Sequence, residues 1–178
     1  VLSIILFLVL GSLTAYIIRK KHLARMAIDP ATQLLNSEIA IGRIEQTAAP
    51  DSGKTNALAL LDLSNLRELT IAAGSAKSDT VLREISDTLR NVTRESDILG
   101  RFGPEQFILC LPNIEESSAT SFFERVQNEL DGTSVGNPND ESINVRTSMS
   151  IFIATEKFSD LSSVIDEMVL SFSVKSKR

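Results

Sequence analysis

A handful of charged side chains in this sequence stand in arrangements that could do phosphate chemistry. Asp62 falls near the end of an apolar run, in Leu60-Leu61-Asp62-Leu63, and Glu105 lies in Gly103-Pro104-Glu105-Gln106, between two further apolar runs. Carboxylates are oxygen ligands of the kind a magnesium ion takes, commonly together with substrate phosphates. An acidic residue at a strand end is equally able to cap the next helix, so Asp62 has a purely structural reading as well. Arg94 and Asp97 stand in Arg94-Glu95-Ser96-Asp97. An arginine can fork onto a phosphate, and an aspartate can accept from N–H donors. The same spacing also describes an exposed helix end carrying opposite charges, with the arginine favourable near the C-terminus.

The other reactive side chains are few. Cys110 is the only cysteine, so no internal disulfide forms, in keeping with a reducing cytoplasm. It sits in an apolar run, where a free cysteine behaves as a small buried hydrophobe. The only histidine, His22, falls in a basic run and reads as solvated or headgroup-facing rather than catalytic. All 23 acidic residues, but only 14 of the 18 basic ones, lie in residues 29–178. Bulk nucleic-acid binding normally shows as a basic patch, so nucleic acid is not an expected partner. A small anion would need locally placed arginines.

Ala57 to Leu63, which carries Asp62, reads as a short strand buried on both faces. Residues 97–102 and 106–111 read as two strands of a hairpin around Gly103-Pro104. Helices are expected over 37–48, 65–73, 78–93, 115–130 and 161–174, with Asn36 capping the first. Residues 131–140 are turn-rich, and 143–154 alternate as a strand. Strands joined by crossover helices, with one hairpin among them, predict an α/β sandwich with a mixed central sheet.

The first eighteen residues differ from the rest. Val1 to Ile18 carry no charge and no proline, close to the roughly 17–25 apolar residues that span a bilayer as a helix. Arg19, Lys20, Lys21 and Arg25 follow, which by the positive-inside rule places the remainder on the cytoplasmic side of an inner membrane. A signal peptide or a buried core helix is the alternative, but a signal peptide carries its charge before the apolar run. The expected organisation is a transmembrane helix over 1–18, a juxtamembrane helical linker over 19–28 and one domain over 29–178.

Within that domain a family resemblance emerges. Asp29-Pro30-Ala31-Thr32-Gln33-Leu34-Leu35-Asn36 resembles the D-x-L-T-G-L-x-N opening of GGDEF domains, with Ala31 and Gln33 departing from it. Arg101-Phe102-Gly103-Pro104-Glu105-Gln106-Phe107 resembles the R-[YF]-G-G-[DE]-E-F hairpin, with Pro104 and Gln106 in place of a glycine and a glutamate. The resemblance implies a nucleotidyl-cyclase, palm-like fold. In active members of the diguanylate cyclase lineage it implies two protomers, each holding one GTP with magnesium, that join the nucleotides into cyclic di-GMP.

Carried over residue by residue, the resemblance makes Asp62 and Glu105 the metal-holding catalytic pair. Thr70 and Asp79 take the guanine-contacting positions, Gly103 the turn that approaches phosphate, and Arg67 and Lys175 positions of positive charge near the nucleotide. Arg94 and Asp97 match the R-x-x-D site at which product binds. Several of these positions are eroded. Active members read D-x-D-x-F-K-x-x-N-D, whereas here Ser64 replaces a carboxylate, Arg67 a lysine, and Thr70 the asparagine. Threonine has one hydroxyl and cannot offer an amide's paired edge. Pro104 removes a backbone N–H at the turn, and Gln106 removes a charge beside the metal. Together these changes argue against efficient turnover. The expectation is a membrane-anchored receptor for cyclic di-GMP, with a weakly active cyclase or a nucleotide-free homodimeric scaffold as the alternatives.

Overall fold

The computed structural model describes residues 27–136 and 142–175. The expected membrane helix over 1–18 and nearly all of the linker over 19–28 lie outside the described residues, among which no helix is long and apolar enough to cross a membrane.

The domain is built on a four-stranded sheet. Helix α1 (Ser37–Glu45) precedes strand β1 (Thr55–Leu63), which leads through α2 (Leu66–Ala73) and α3 (Ser75–Val92) to the hairpin β2 (Ile98–Arg101) and β3 (Gln106–Ile114). Helix α4 (Glu116–Asp131), a small ladder β4 (Ser134–Gly136) with β5 (Ser142–Asn144), then β6 (Thr147–Ala154) and α5 (Leu161–Lys175) complete it. The strand order is β2-β3-β1-β6, and every neighbouring pair is antiparallel. The expected mixed sheet is therefore corrected. Helices α2 and α3 do return the chain in its original direction, so β1 and β2 run parallel, but β3 inserts between them. The same split separates β3 from β6 by β1. Among the described residues, parallel pairing survives only as an isolated bridge between Leu35 and Gly100 at the edge.

Helices on both faces explain why β1 reads as a continuous apolar run although its neighbours are antiparallel. Ala57, Ala59 and Leu61 face α2, α3 and α4 with Leu69, Ile85 and Phe123, while Leu58 and Leu60 face α1 and α5 with Ile44 and Ile165. Asn36 caps α1 as expected, its side chain accepting from the Ile39 N–H at 2.9 Å.

Two glycines are required by geometry. Gly74, at φ +88°, turns α2 directly into α3, so α3 begins three residues before the expected Ser78. At Gly100 a Cβ would lie 2.4 Å from Ala40 Cβ, so only glycine lets α1 approach β2 this closely. The expected single strand over 143–154 is broken at Val145 and Arg146. The buried Asn65 amide inserts there, donating to the Asn144 carbonyl at 2.8 Å and accepting from the Arg146 N–H at 2.9 Å. That exchange leaves β5 to pair with β4 inside the stretch read as turns.

Candidate functional site

The hairpin end of the sheet gathers the expected catalytic residues. Asp62 and Gln106 are direct cross-strand partners on β1 and β3, so their side chains share a face. The Gln106 amide donates to Asp62 Oδ1 at 3.0 Å. Asp62 is thus tied to the residue that replaces a glutamate. The Glu105 carbonyl accepts from the Leu63 N–H at 2.8 Å, and its carboxylate has no partner among the described residues.

The turn itself is sealed by side chains. Its backbone closes through Gln106 N–H to the Gly103 carbonyl at 3.4 Å, with Pro104 at the second position, where proline is favoured. Arg101 folds back over it, its Nε donating to the Gly103 carbonyl at 2.6 Å and its Nη2 to the Pro104 carbonyl. The guanidinium also lies 5.3 Å from the Phe107 ring centre, and its Nη1 is buried without a hydrogen-bond partner. Burial pushes the Arg101 pKa down, and the carboxylates of Asp29 and Asp79 oppose that shift. Gly103 does not adopt a positive φ; its missing side chain leaves room for Gln106 Oε1, which would sit 3.1 Å from a Cβ there.

The expected base-contacting positions are partly committed elsewhere. The Thr70 hydroxyl lies 2.8 Å from the Leu66 carbonyl and 2.9 Å from Ser78 Oγ, so it ties α2 to α3. Asp79 is exposed on the first turns of α3, and Arg67 is exposed on α2 without a partner among the described residues. Lys175 ends α5, and its side chain lies outside the described residues.

The Arg94–Asp97 segment forms a second site at the other end of β2. The two residues close a reciprocal turn: the Arg94 N–H donates to Asp97 Oδ2 at 2.7 Å, and the Asp97 N–H donates to the Arg94 carbonyl at 3.0 Å. The Arg94 guanidinium is exposed, and Asp97 Oδ1 accepts from the Ser96 hydroxyl at 3.5 Å. Both side chains line a cleft of about 350 Å³ between the end of β3 and the first turns of α4. Its far wall carries Ser117, Ser118, Ser121, Phe122 and Arg125. The Arg125 guanidinium lies 5.5 Å from the Phe122 ring centre. Two arginines, one carboxylate and an aromatic ring therefore surround one cavity.

Sequence reading singled out neither Arg125 nor Phe122, which is partly buried against the core. The signal was present as helical spacing: Ser118, Ser121, Phe122 and Arg125 form one stripe of α4, beside the buried stripe of Ala119, Phe123, Val126 and Leu130. Cys110 is fully buried in the core on the α1 and α5 face, and burial, with the nearby Asp97 carboxylate second, pushes its thiol from 9.0 up to about 12. It stays an uncharged thiol of the core.

The family model for the diguanylate cyclase GGDEF domain matches residues 26–171 of this chain. The chain belongs to the GGDEF family. It is 32% identical to diguanylate cyclase DgcP of Pseudomonas aeruginosa over 101 residues, which is 56% of this chain and 15% of that protein. It is 25% identical to diguanylate cyclase DosC of Escherichia coli K12 over 146 residues, 80% of this chain and 32% of that protein. The chain thus spans less than a third of the length of either relative. The solved coiled coil and GGDEF domain of DgcB from Caulobacter crescentus, in complex with c-di-GMP, matches with a TM-score of 0.77 at 19% identity, covering 97% of this chain and 94% of that one. The GGDEF domain of FimX from P. aeruginosa matches with a TM-score of 0.69 at 20% identity, covering 80% and 88%. These likenesses establish the GGDEF-type fold.

Against that family background the hairpin can be tested for magnesium. The ion demands near-octahedral oxygen ligation. Among the described residues no three His, Cys, Asp or Glu side chains are placed to hold a metal. Asp62 Oδ1 accepts from the Gln106 amide, and the turn carbonyls accept from Arg101. Of the expected metal-holding pair, the Glu105 carboxylate and the second Asp62 oxygen are left without a described partner.

Proposed function

We propose that this GGDEF domain acts as a receptor for cyclic di-GMP, bound at the Arg94–Asp97 cleft, and that its hairpin site is impaired for GTP condensation. The observation that carries the reading is the convergence of Arg94, Arg125, Asp97 and Phe122 on one cavity. A cyclic dinucleotide presents phosphates, guanine N–H edges and flat purine faces. Arginines suit the first, a carboxylate the second, and an aromatic ring the third.

The impaired hairpin follows from residues already engaged with one another. Gln106 occupies Asp62, Arg101 occupies the turn carbonyls, and Thr70 is tied to Ser78. In this reading Asp62, Glu105, Thr70, Asp79, Gly103, Arg67 and Lys175 keep the positions of a GTP site without its working contacts.

The reading extends to the untested flanks of the chain. The apolar run over 1–18 and the basic cluster after it support an inner-membrane anchor with the domain facing the cytoplasm. Homodimerisation is part of the same proposal. Fractionation of cells expressing the chain, with protease accessibility of the domain from either side, tests the anchor; recovery of the chain in the soluble fraction would remove it.

Calorimetric titration of the purified 178-residue chain tests the ligand. The reading expects saturable heat with cyclic di-GMP and none with GTP plus magnesium. Heat with GTP and release of cyclic di-GMP product would favour the weak cyclase, and silence toward both would favour the scaffold.

A further inference from the structure

We infer that the Gln106 amide takes the place of a divalent cation between β1 and β3, so that this hairpin is held together without metal. The inference concerns the hairpin alone and does not rest on the receptor reading. Asp62 and Gln106 are in register on adjacent strands, where two like charges facing each other would destabilise the pair. In a carboxylate pair that repulsion is relieved by a bound cation or by a shared proton. Here the amide does so without a charge, donating Nε2–H to Asp62 Oδ1 at 3.0 Å.

Three neighbouring features fit the substitution. The other end of the amide, Oε1, fills the space above Gly103, at 3.1 Å from where a Cβ would stand. The carbonyls of Gly103 and Pro104, the backbone oxygens nearest the turn, are consumed by Arg101. The Arg101 guanidinium then fixes a positive charge against the same turn, which repels a second cation. Asp62 Oδ1, Gln106, Arg101 and the Gly103 and Pro104 carbonyls thus form a set bonded to one another, and the Glu105 carboxylate stands outside it. The difference from a metal site is one side-chain atom, an NH2 where a carboxylate would have an oxygen.

Thermal melts of the 178-residue chain in EDTA and in millimolar magnesium chloride test this, with Gln106→Glu and the exchanged pair Asp62→Asn/Gln106→Glu as variants. The wild-type chain is expected to melt at the same temperature in both buffers. Gln106→Glu is expected to melt lower than wild type in EDTA, by about 2–4 °C for each kcal/mol of repulsion introduced, and to recover in magnesium. The exchanged pair restores one donor and one acceptor, so it is expected to recover in EDTA and to ignore magnesium. A magnesium-dependent rise in the wild-type melting temperature would overturn the inference. So would a Gln106→Glu chain as stable as wild type in EDTA. If Gln106→Glu fails to fold in either buffer, calorimetric titration of the wild-type chain with magnesium chloride decides: no saturable heat upholds the inference, and one-site binding refutes it.

Discussion

Truncating Arg125 to alanine separates what this side chain does for the fold from what it does for a ligand. In the free protein its guanidinium makes one described contact, the face of Phe122 at 5.5 Å, on an exposed helix surface. A cation–π contact at such a site contributes about 0.5–1 kcal/mol. Alanine returns a few tenths through its helix propensity at the middle of α4, at about 0.2–0.3 kcal/mol over arginine. The net loss of stability is then below about 1 kcal/mol, a fall in melting temperature of no more than about 2–4 °C. Binding should respond on a different scale. A hydrogen bond from arginine to phosphate is charge-assisted and contributes about 1.5–3 kcal/mol. At about 1.4 kcal/mol per tenfold, its loss weakens cyclic di-GMP binding by roughly 10- to 150-fold. Paired measurements on the same preparation, a thermal melt and a calorimetric titration, read both numbers. Unchanged affinity with an unchanged melt would remove Arg125 from the site, and a large loss of stability would show it to be structural.

Other consequences of the structure are checked more simply. Gly100→Ala forces a Cβ into Ala40 and should cost about 1–3 kcal/mol by overpacking, seen as a lower midpoint in urea; a wild-type midpoint would refute the close approach of α1 to β2. Gln33 holds φ +57°, a left-handed conformation that costs a residue with a Cβ about 1–2 kcal/mol, partly offset by its side-chain amide donating to the Pro30 carbonyl. Gln33→Gly should therefore stabilise the domain by up to about 1 kcal/mol in the same assay, and a lower midpoint would contradict the strain. The Cys110 thiol is protonated in both folded and unfolded chains below its ordinary 9.0, so its contribution is complete there. Between 9.0 and about 12 the unfolded chain deprotonates first, and stability drains by about 1.4 kcal/mol per pH unit in wild type but not in Cys110→Ala. At neutral pH a thiol reagent should label Cys110 only as fast as the protein unfolds; rapid labelling of the native chain would contradict its burial.

The parts of this fold that were legible in the sequence are those where periodicity and turn chemistry act locally. The run over 57–63, the Asn36 cap and the hairpin around Gly103-Pro104 all lie where the residues placed them. Sheet order was not legible, because it depends on which strand slips between β1 and β2, and no local pattern encodes that insertion. The break in the expected strand over 143–154 escaped for a similar reason. Its cause, Asn65, is about eighty residues away in sequence and acts through hydrogen bonds to Asn144 and Arg146.

The candidate site divides along the same line. Motif spacing identified Arg94 and Asp97, which the fold does bring together with each other. It did not identify Arg125, which reaches the cleft only because α4 packs across the end of β3. Nor did it identify Gln106 as the partner of Asp62: the sequence shows a missing charge, while the register shows an amide aimed at a carboxylate.

The central claim is that cyclic di-GMP binds at the Arg94–Asp97 cleft. Calorimetric titration of the wild-type chain beside Arg94→Ala tests it most directly, because the Arg94 turn bond uses the backbone N–H, which alanine keeps. The account predicts saturable binding to wild type, weakened roughly 10-fold or more in Arg94→Ala at an unchanged melting temperature. Equal binding by both chains, or no binding by wild type, would contradict it.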